Sequence, residues 1–126
     1  MNKNSFYQKW RLQFDHKTQY YGWLRDPYYQ LATNYLPNLA DEIAIDIGAG
    51  NKGFAQFLDK EISSKFHLLD GNPVTIEQFK KDFKNAKFYL APSPLPYESQ
   101  SVSFVHCSHL IEHLNWKDLE AFLHEV

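Results

Sequence analysis

Three glycines and two carboxylates carry the chemistry this sequence is able to do. The stretch EIAIDIGAGNKGF, residues 42–54, puts Gly48, Gly50 and Gly53 in a G-x-G-x-x-G spacing directly after an apolar run, and Asp46 stands two residues ahead of the first glycine. Glycines so placed permit a tight turn and let a ligand touch backbone that a β-carbon would shield. Asp70 follows at about the 20-residue interval where a dinucleotide-binding fold carries the acid that accepts from ribose hydroxyls. The glycines alone do not choose the ligand. A pyrophosphate seated on the loop and on the helix N-terminus behind it would stand about 5 Å from Asp46, a repulsion of about 3 kcal/mol at an effective dielectric of about 20. A nucleoside bearing positive charge reverses that sign.

S-adenosylmethionine fits this pair of acids: it has an ammonium, a sulfonium and a ribose diol, but no phosphate. An NAD-dependent oxidoreductase is the competing reading, and Asp46 argues against it. Each acid also has a purely structural role open to it. Asp46 is placed to cap backbone amides at the strand end, and Asp70 to form the turn of DGNP.

A second cluster is HLIEH, where His109, Glu112 and His113 fall at i, i+3 and i+4 and share a face if the helix begins this early. The spelling matches the H-x-x-E-H of inverted zinc peptidases. Zinc needs a third protein ligand, and His124 or Glu125 would have to supply it with no motif around them, so no metal site is assigned. His113 suits a packed structural histidine. His109 suits a general base beside an acceptor hydroxyl.

The elements that must position these groups alternate. EIAIDI is a buried strand; FAQFLDKEI then places Phe54, Phe57, Leu58 and Ile62 on one helical face. FHLL is the second strand, and Asn72 and Pro73 of DGNP start the helix VTIEQFKKDF. AKFYL is a third strand, SVSFVHCS a fourth, and HLIEHL and NWKDLEAFLHEV are helical, the latter with Asn115 as cap. Upstream, residues 5–25 form an aromatic and basic helical preamble ending near Gly22. Asp26 and Pro27 then cap a helix over PYYQLATNYL that Pro37 stops. Strands alternating with helices predict an α/β, Rossmann-like parallel sheet with flanking helices. One domain is expected: an N-terminal aromatic-rich helical segment, 1–41, packed on a core of 42–126. Trp10, Tyr20, Tyr21, Trp23, Tyr28 and Tyr29 of that segment serve either as core or as a lid over a ligand.

Composition narrows the class. At 126 residues with 44% hydrophobic and 22% charged, the chain is long enough for one core and too apolar for disorder. A net charge of −2 indicates no nucleic-acid or membrane partner. Cys107 is the only cysteine, so no internal disulfide forms, and the first residues lack an apolar stretch of signal-peptide length; the expected location is cytoplasmic.

Four segments in order, AIDIGAGNKGF, HLLDGNP, LPYESQSVSFVHCSHLIEHL and DLEAFLHEV, make residues 42–126 resemble the class I S-adenosylmethionine-dependent methyltransferases. The resemblance implies that Asp46 approaches the methionine ammonium, directly or through water, while Gly48, Ala49 and Gly50 line methionine and ribose. It further implies that Asp70 holds the ribose hydroxyls, that Gly71 and Asn72 border adenine, and that Ser108 and His109 face the methyl group and a small-molecule acceptor. Lys52 stands where the family usually has its third loop glycine, Ala91 where an acid commonly meets the adenine amine, and Ser103 where an aspartate usually follows the strand start. These departures keep a second reading open, a non-catalytic binding or interaction module. The family's sheet has seven strands and four are legible here, so the fourth is expected at an edge that self-association or a partner chain would cover.

Overall fold

The run IAIDI forms the central strand β1, Ile43–Ile47, because β-branched side chains suit an extended backbone buried on both faces. The computed structural model describes residues 22–50 and 53–126. In chain order α1 (Gly22–Thr33) precedes β1, and two short helices, α2 (Phe54–Phe57) and α3 (Lys60–Ser63), lead to β2 (Phe66–Asp70). Then come α4 (Pro73–Phe79), β3 (Ala86–Phe88), β4 (Val102–Cys107), a 3-10 turn at Ile111–His113 and α5 (Trp116–Glu125). The sheet order is β3-β2-β1-β4 and every pairing is parallel, so the Rossmann-like α/β expectation holds. The chain leaves β1 toward β2 on one side and returns to β4 on the other. That reversal opens a crevice at the carboxyl ends of β1 and β4, where open parallel sheets bind ligands.

Strand alternation splits the core in two. Ala44, Phe66 and Leu68 pack with Tyr29 of α1, Phe54 and Ala55 of α2, and Ile76 and Phe79 of α4 on one face. Ile45, Ile47 and Leu69 pack with Tyr89, Ala91 and Phe122 of α5 on the other. At about 25 cal/mol per Å², each fully buried Phe or Leu contributes about 2 kcal/mol. The Asp46 side chain shares the first face with Ala44. β4 is an edge strand, as expected, and Val105 is its exposed apolar residue.

Two caps behave as the sequence indicates: Asn72 Oδ1 accepts from the Val74 amide at 3.0 Å ahead of Pro73, and Asn115 Oδ1 accepts from the Asp118 amide at 2.9 Å. Three expectations are corrected. The helix expected to start at Asp26 starts at Gly22 and contains Pro27, which near a helix start removes a single hydrogen bond. It winds down at Thr33, whose hydroxyl donates to the Gln30 carbonyl at 2.6 Å. The single helix expected over 54–62 is two, because Leu58 turns extended (φ −70°, ψ 159°) and Asp59 caps the second by accepting from the Ile62 amide. The helix expected over HLIEHL is a bend and a 3-10 turn, with His109 in the left-handed region at φ +56°.

Of the N-terminal aromatics, Trp10, Tyr20 and Tyr21 lie outside the described residues. Tyr29 is core and Tyr28 is exposed. Among the described residues no helix is long and apolar enough to cross a membrane.

Candidate functional site

The glycine loop is built by β1 running out over the end of β2. The Gly48 and Ala49 amides both donate to the Leu69 carbonyl, at 2.8 and 3.2 Å, which bends the chain sharply, and Gly48 and Gly50 take the left-handed φ values of +68° and +54° that glycine adopts cheaply. Asp70, the last residue of β2, then locks the bend. Its Oδ2 accepts from the Gly50 amide at 2.8 Å and its Oδ1 from the Asn72 amide at 2.8 Å. One carboxylate therefore ties the loop to the turn after β2. Among the described residues, a β-carbon on Gly50 would meet nothing nearer than the Gly48 carbonyl at 3.8 Å. Gly53 has a different job. A β-carbon on it would overlap the Ala49 carbonyl, so this glycine is a packing requirement, as the third position of such a loop often is.

Asp46 lies beneath the loop, 1% exposed. Its Oδ2 accepts from the Ala55 amide at 3.0 Å and its Oδ1 lies 2.9 Å from His106 Nδ1. Burying an ionised carboxylate costs several kcal/mol unless it is paired and hydrogen-bonded, and these two contacts supply that compensation.

The β4 side holds the remaining residues. Ser108, half-buried just past the strand, hydrogen-bonds the Tyr29 phenol of α1, while burial raises the Tyr29 pKa above its ordinary 10.0. Burial, helped by the charges of Asp46 and Glu112, pushes the Cys107 thiol up to about 12. His109 is mostly exposed, with Nδ1 at 3.4 Å from Glu112 Oε1, so these two meet although the helix expected to pair them does not form. Ala49 is buried in the loop, Gly71 is half-buried, and Asn72 is buried with its side-chain oxygen committed to the cap of α4. The structure thus brings Asp46, Gly48, Ala49, Gly50, Asp70, Gly71, Asn72 and Ser108 to one end of the sheet.

Sequence reasoning missed His106. Its signal lay in the register: Asp46 pairs with His106 across β1 and β4, each two residues before its strand gives way to Gly48 or Ser108. Parallel strands in register put such positions on the same face.

A pyrophosphate is poorly served here. The helix behind the loop has four residues, and its Ala55 amide already donates to a carboxylate. The profile of a family described as "Methyltransferase domain" matches residues 44–126. The chain belongs to the class I S-adenosylmethionine-dependent methyltransferase family. Comparisons with curated proteins and with solved structures returned no match. The methyltransferase match runs from inside β1 through α5 and so contains the glycine loop, both carboxylates and the β4 end; α1, which supplies Tyr29, precedes it.

Proposed function

We propose that this methyltransferase domain binds S-adenosylmethionine across the carboxyl ends of β1, β2 and β4 and transfers its methyl group to a small-molecule acceptor. The observation that carries this reading is the pair of carboxylates bracketing the glycine loop, Asp46 below it and Asp70 beside it, both held by backbone amides. Negative charge at both places suits a cationic nucleoside and opposes a phosphate.

When bound, the cofactor supplies a methyl group on a sulfonium, whose carbon–sulfur bond breaks as the acceptor's lone pair forms the new bond. The protein's part is positioning. Gly48, Ala49 and Gly50 line methionine and ribose, Asp70 receives the ribose hydroxyls, and Gly71 and Asn72 border adenine. Asp46 answers the ammonium through the loop. Ser108 and the exposed imidazole of His109 face the acceptor, whose proton His109 takes.

A second reading, a module that binds without turnover, is favoured by the buried, uncharged Ala91, which offers adenine no acid, and by Ser103 in place of a supporting aspartate on β4.

Isothermal titration calorimetry of the chain with S-adenosylmethionine, S-adenosylhomocysteine and NAD tests the cofactor. Binding of both adenosyl ligands, lost in Asp46→Ala and absent for NAD, is the expected result. A folded chain that binds neither adenosyl ligand refutes it.

A further inference from the structure

The imidazole of His106 is held on three sides. Its Nδ1 is 2.9 Å from Asp46 Oδ1, its ring stacks on Phe54 with centroids 4.3 Å apart, and the edge of Tyr29 closes at 5.6 Å. A carboxylate only accepts, so Nδ1 carries the hydrogen, and Nε2, which has no hydrogen bond among the described residues, is the atom that gains or loses a proton. The two side chains are 12% and 2% exposed, so their charge is poorly screened by solvent. With the imidazole neutral the pair carries a full negative charge; with the imidazolium the pair is neutral overall.

We infer that His106 sets the charge the glycine loop presents to a cation, so that ammonium-bearing adenosyl ligands bind while His106 is neutral and are released as it takes a proton. This rests on the cofactor proposed above and makes His106 a positioning residue acting through Asp46. Its place favours that role over direct catalysis, because it lies within β4, one residue before the strand end.

Other charged or titratable groups face it from the elements packed around it. Tyr29 on α1 has its pKa raised above 10.0, and Cys107 on β4 has its own pushed up to about 12; both stay neutral between about pH 5 and 8. Arg25 lies over the Tyr29 ring at 5.5 Å. Among the described residues the nearby acids are Asp26 on α1, Glu112 in the turn and Asp70 across the loop, none of them bonded to the imidazole. Phe54 of α2 contributes only a ring.

The test is calorimetry of S-adenosylhomocysteine and of adenosine, which lacks the ammonium, from about pH 8 to 5. The wild-type chain, His106→Asn and Asp46→Asn are compared; the Asn at position 106 offers a donor near Nδ1 but does not titrate. Wild-type affinity for S-adenosylhomocysteine should fall about tenfold with acidification, a usual size for coupled sites, while adenosine binding stays level. His106→Asn should lose the slope and keep the tighter affinity, whereas Asp46→Asn, which removes the negative charge itself, should weaken S-adenosylhomocysteine binding across the whole range. Imidazole nitrogen NMR of the ligand-free chain should show the Nδ1–H form; an Nε2–H form overturns the inference without any ligand. Binding with no pH slope, or the same slope in His106→Asn, overturns it while leaving the cofactor intact. Failure of S-adenosylhomocysteine to bind at any pH refutes the cofactor, and the inference with it.

Discussion

Asp70 at the end of β2 receives the Gly50 amide of the loop after β1 on one carboxylate oxygen and the Asn72 amide of its own turn on the other, both at 2.8 Å. The residue assigned to ribose is therefore also the clasp that shapes the glycine loop. Removing it should be felt without any ligand. Charge-assisted hydrogen bonds contribute about 1.5–3 kcal/mol each, less where solvent reaches them, so Asp70→Ala is expected to destabilise the fold by about 1–3 kcal/mol in urea unfolding. Adenosyl affinity should fall in the same variant. Unchanged stability would mean the clasp is replaceable by water.

Gly53 tests packing rather than flexibility. Its φ of −70° is one any residue adopts, so the cost of Gly53→Ala comes from the Ala49 carbonyl, with Asp46 Oδ2 at 3.1 Å beside it, in the path of the new methyl. Overpacking of this kind typically costs about 1–3 kcal/mol, and the same loop must move to relieve it. Thermal unfolding should show the loss, and calorimetry should show weaker adenosyl binding. A variant with wild-type melting temperature would show that the loop yields easily.

Much of the site was legible in the sequence because its signals are local. Gly48 and Gly50 announce positive φ, Asn72 before Pro73 and Asn115 before Trp116 announce caps, and IAIDI and FHLL announce buried strands. Errors arose where two local signals competed. The apolar spacing of Phe54, Phe57, Leu58 and Ile62 indicates one helix, yet Asp59 is a strong cap in its middle, and the cap won. Asp26 with Pro27 resembles a helix start, but the helix runs on through both residues to Gly22. His106 was hidden for another reason: its partner lies 60 positions away, and only the β1–β4 register joins them.

His67 gives a pH prediction with a defined sign. It sits 2.8 Å from the Tyr97 hydroxyl, and burial, then the Lys87 charge, lowers its pKa below the ordinary 6.5. The folded state therefore resists a proton that the unfolded chain accepts. Stability from this residue is complete above pH 6.5 and declines as pH falls from there through the lower folded value. In His67→Asn, which does not titrate, the decline in unfolding free energy just below pH 6.5 should be shallower than in wild type. An identical acid limb would assign the decline to other groups.

Cys107 should be a quiet thiol despite its place at the end of β4 beside the site. Only the thiolate is nucleophilic, and burial, reinforced by Asp46 and Glu112, pushes this thiol up to about 12. An ordinary thiol, with a pKa of about 8.5, is a few per cent thiolate at neutral pH; a thiol at about 12 holds less by roughly three orders of magnitude. Iodoacetamide should accordingly alkylate Cys107 far more slowly in the folded chain than in urea, where desolvation is gone. Asp46→Asn separates the two causes: it removes one repelling charge but leaves the burial, so the folded rate should rise only modestly, because burial is the larger effect. A rate in the variant that matches the unfolded chain would mean that charge, not burial, keeps this sulfur silent.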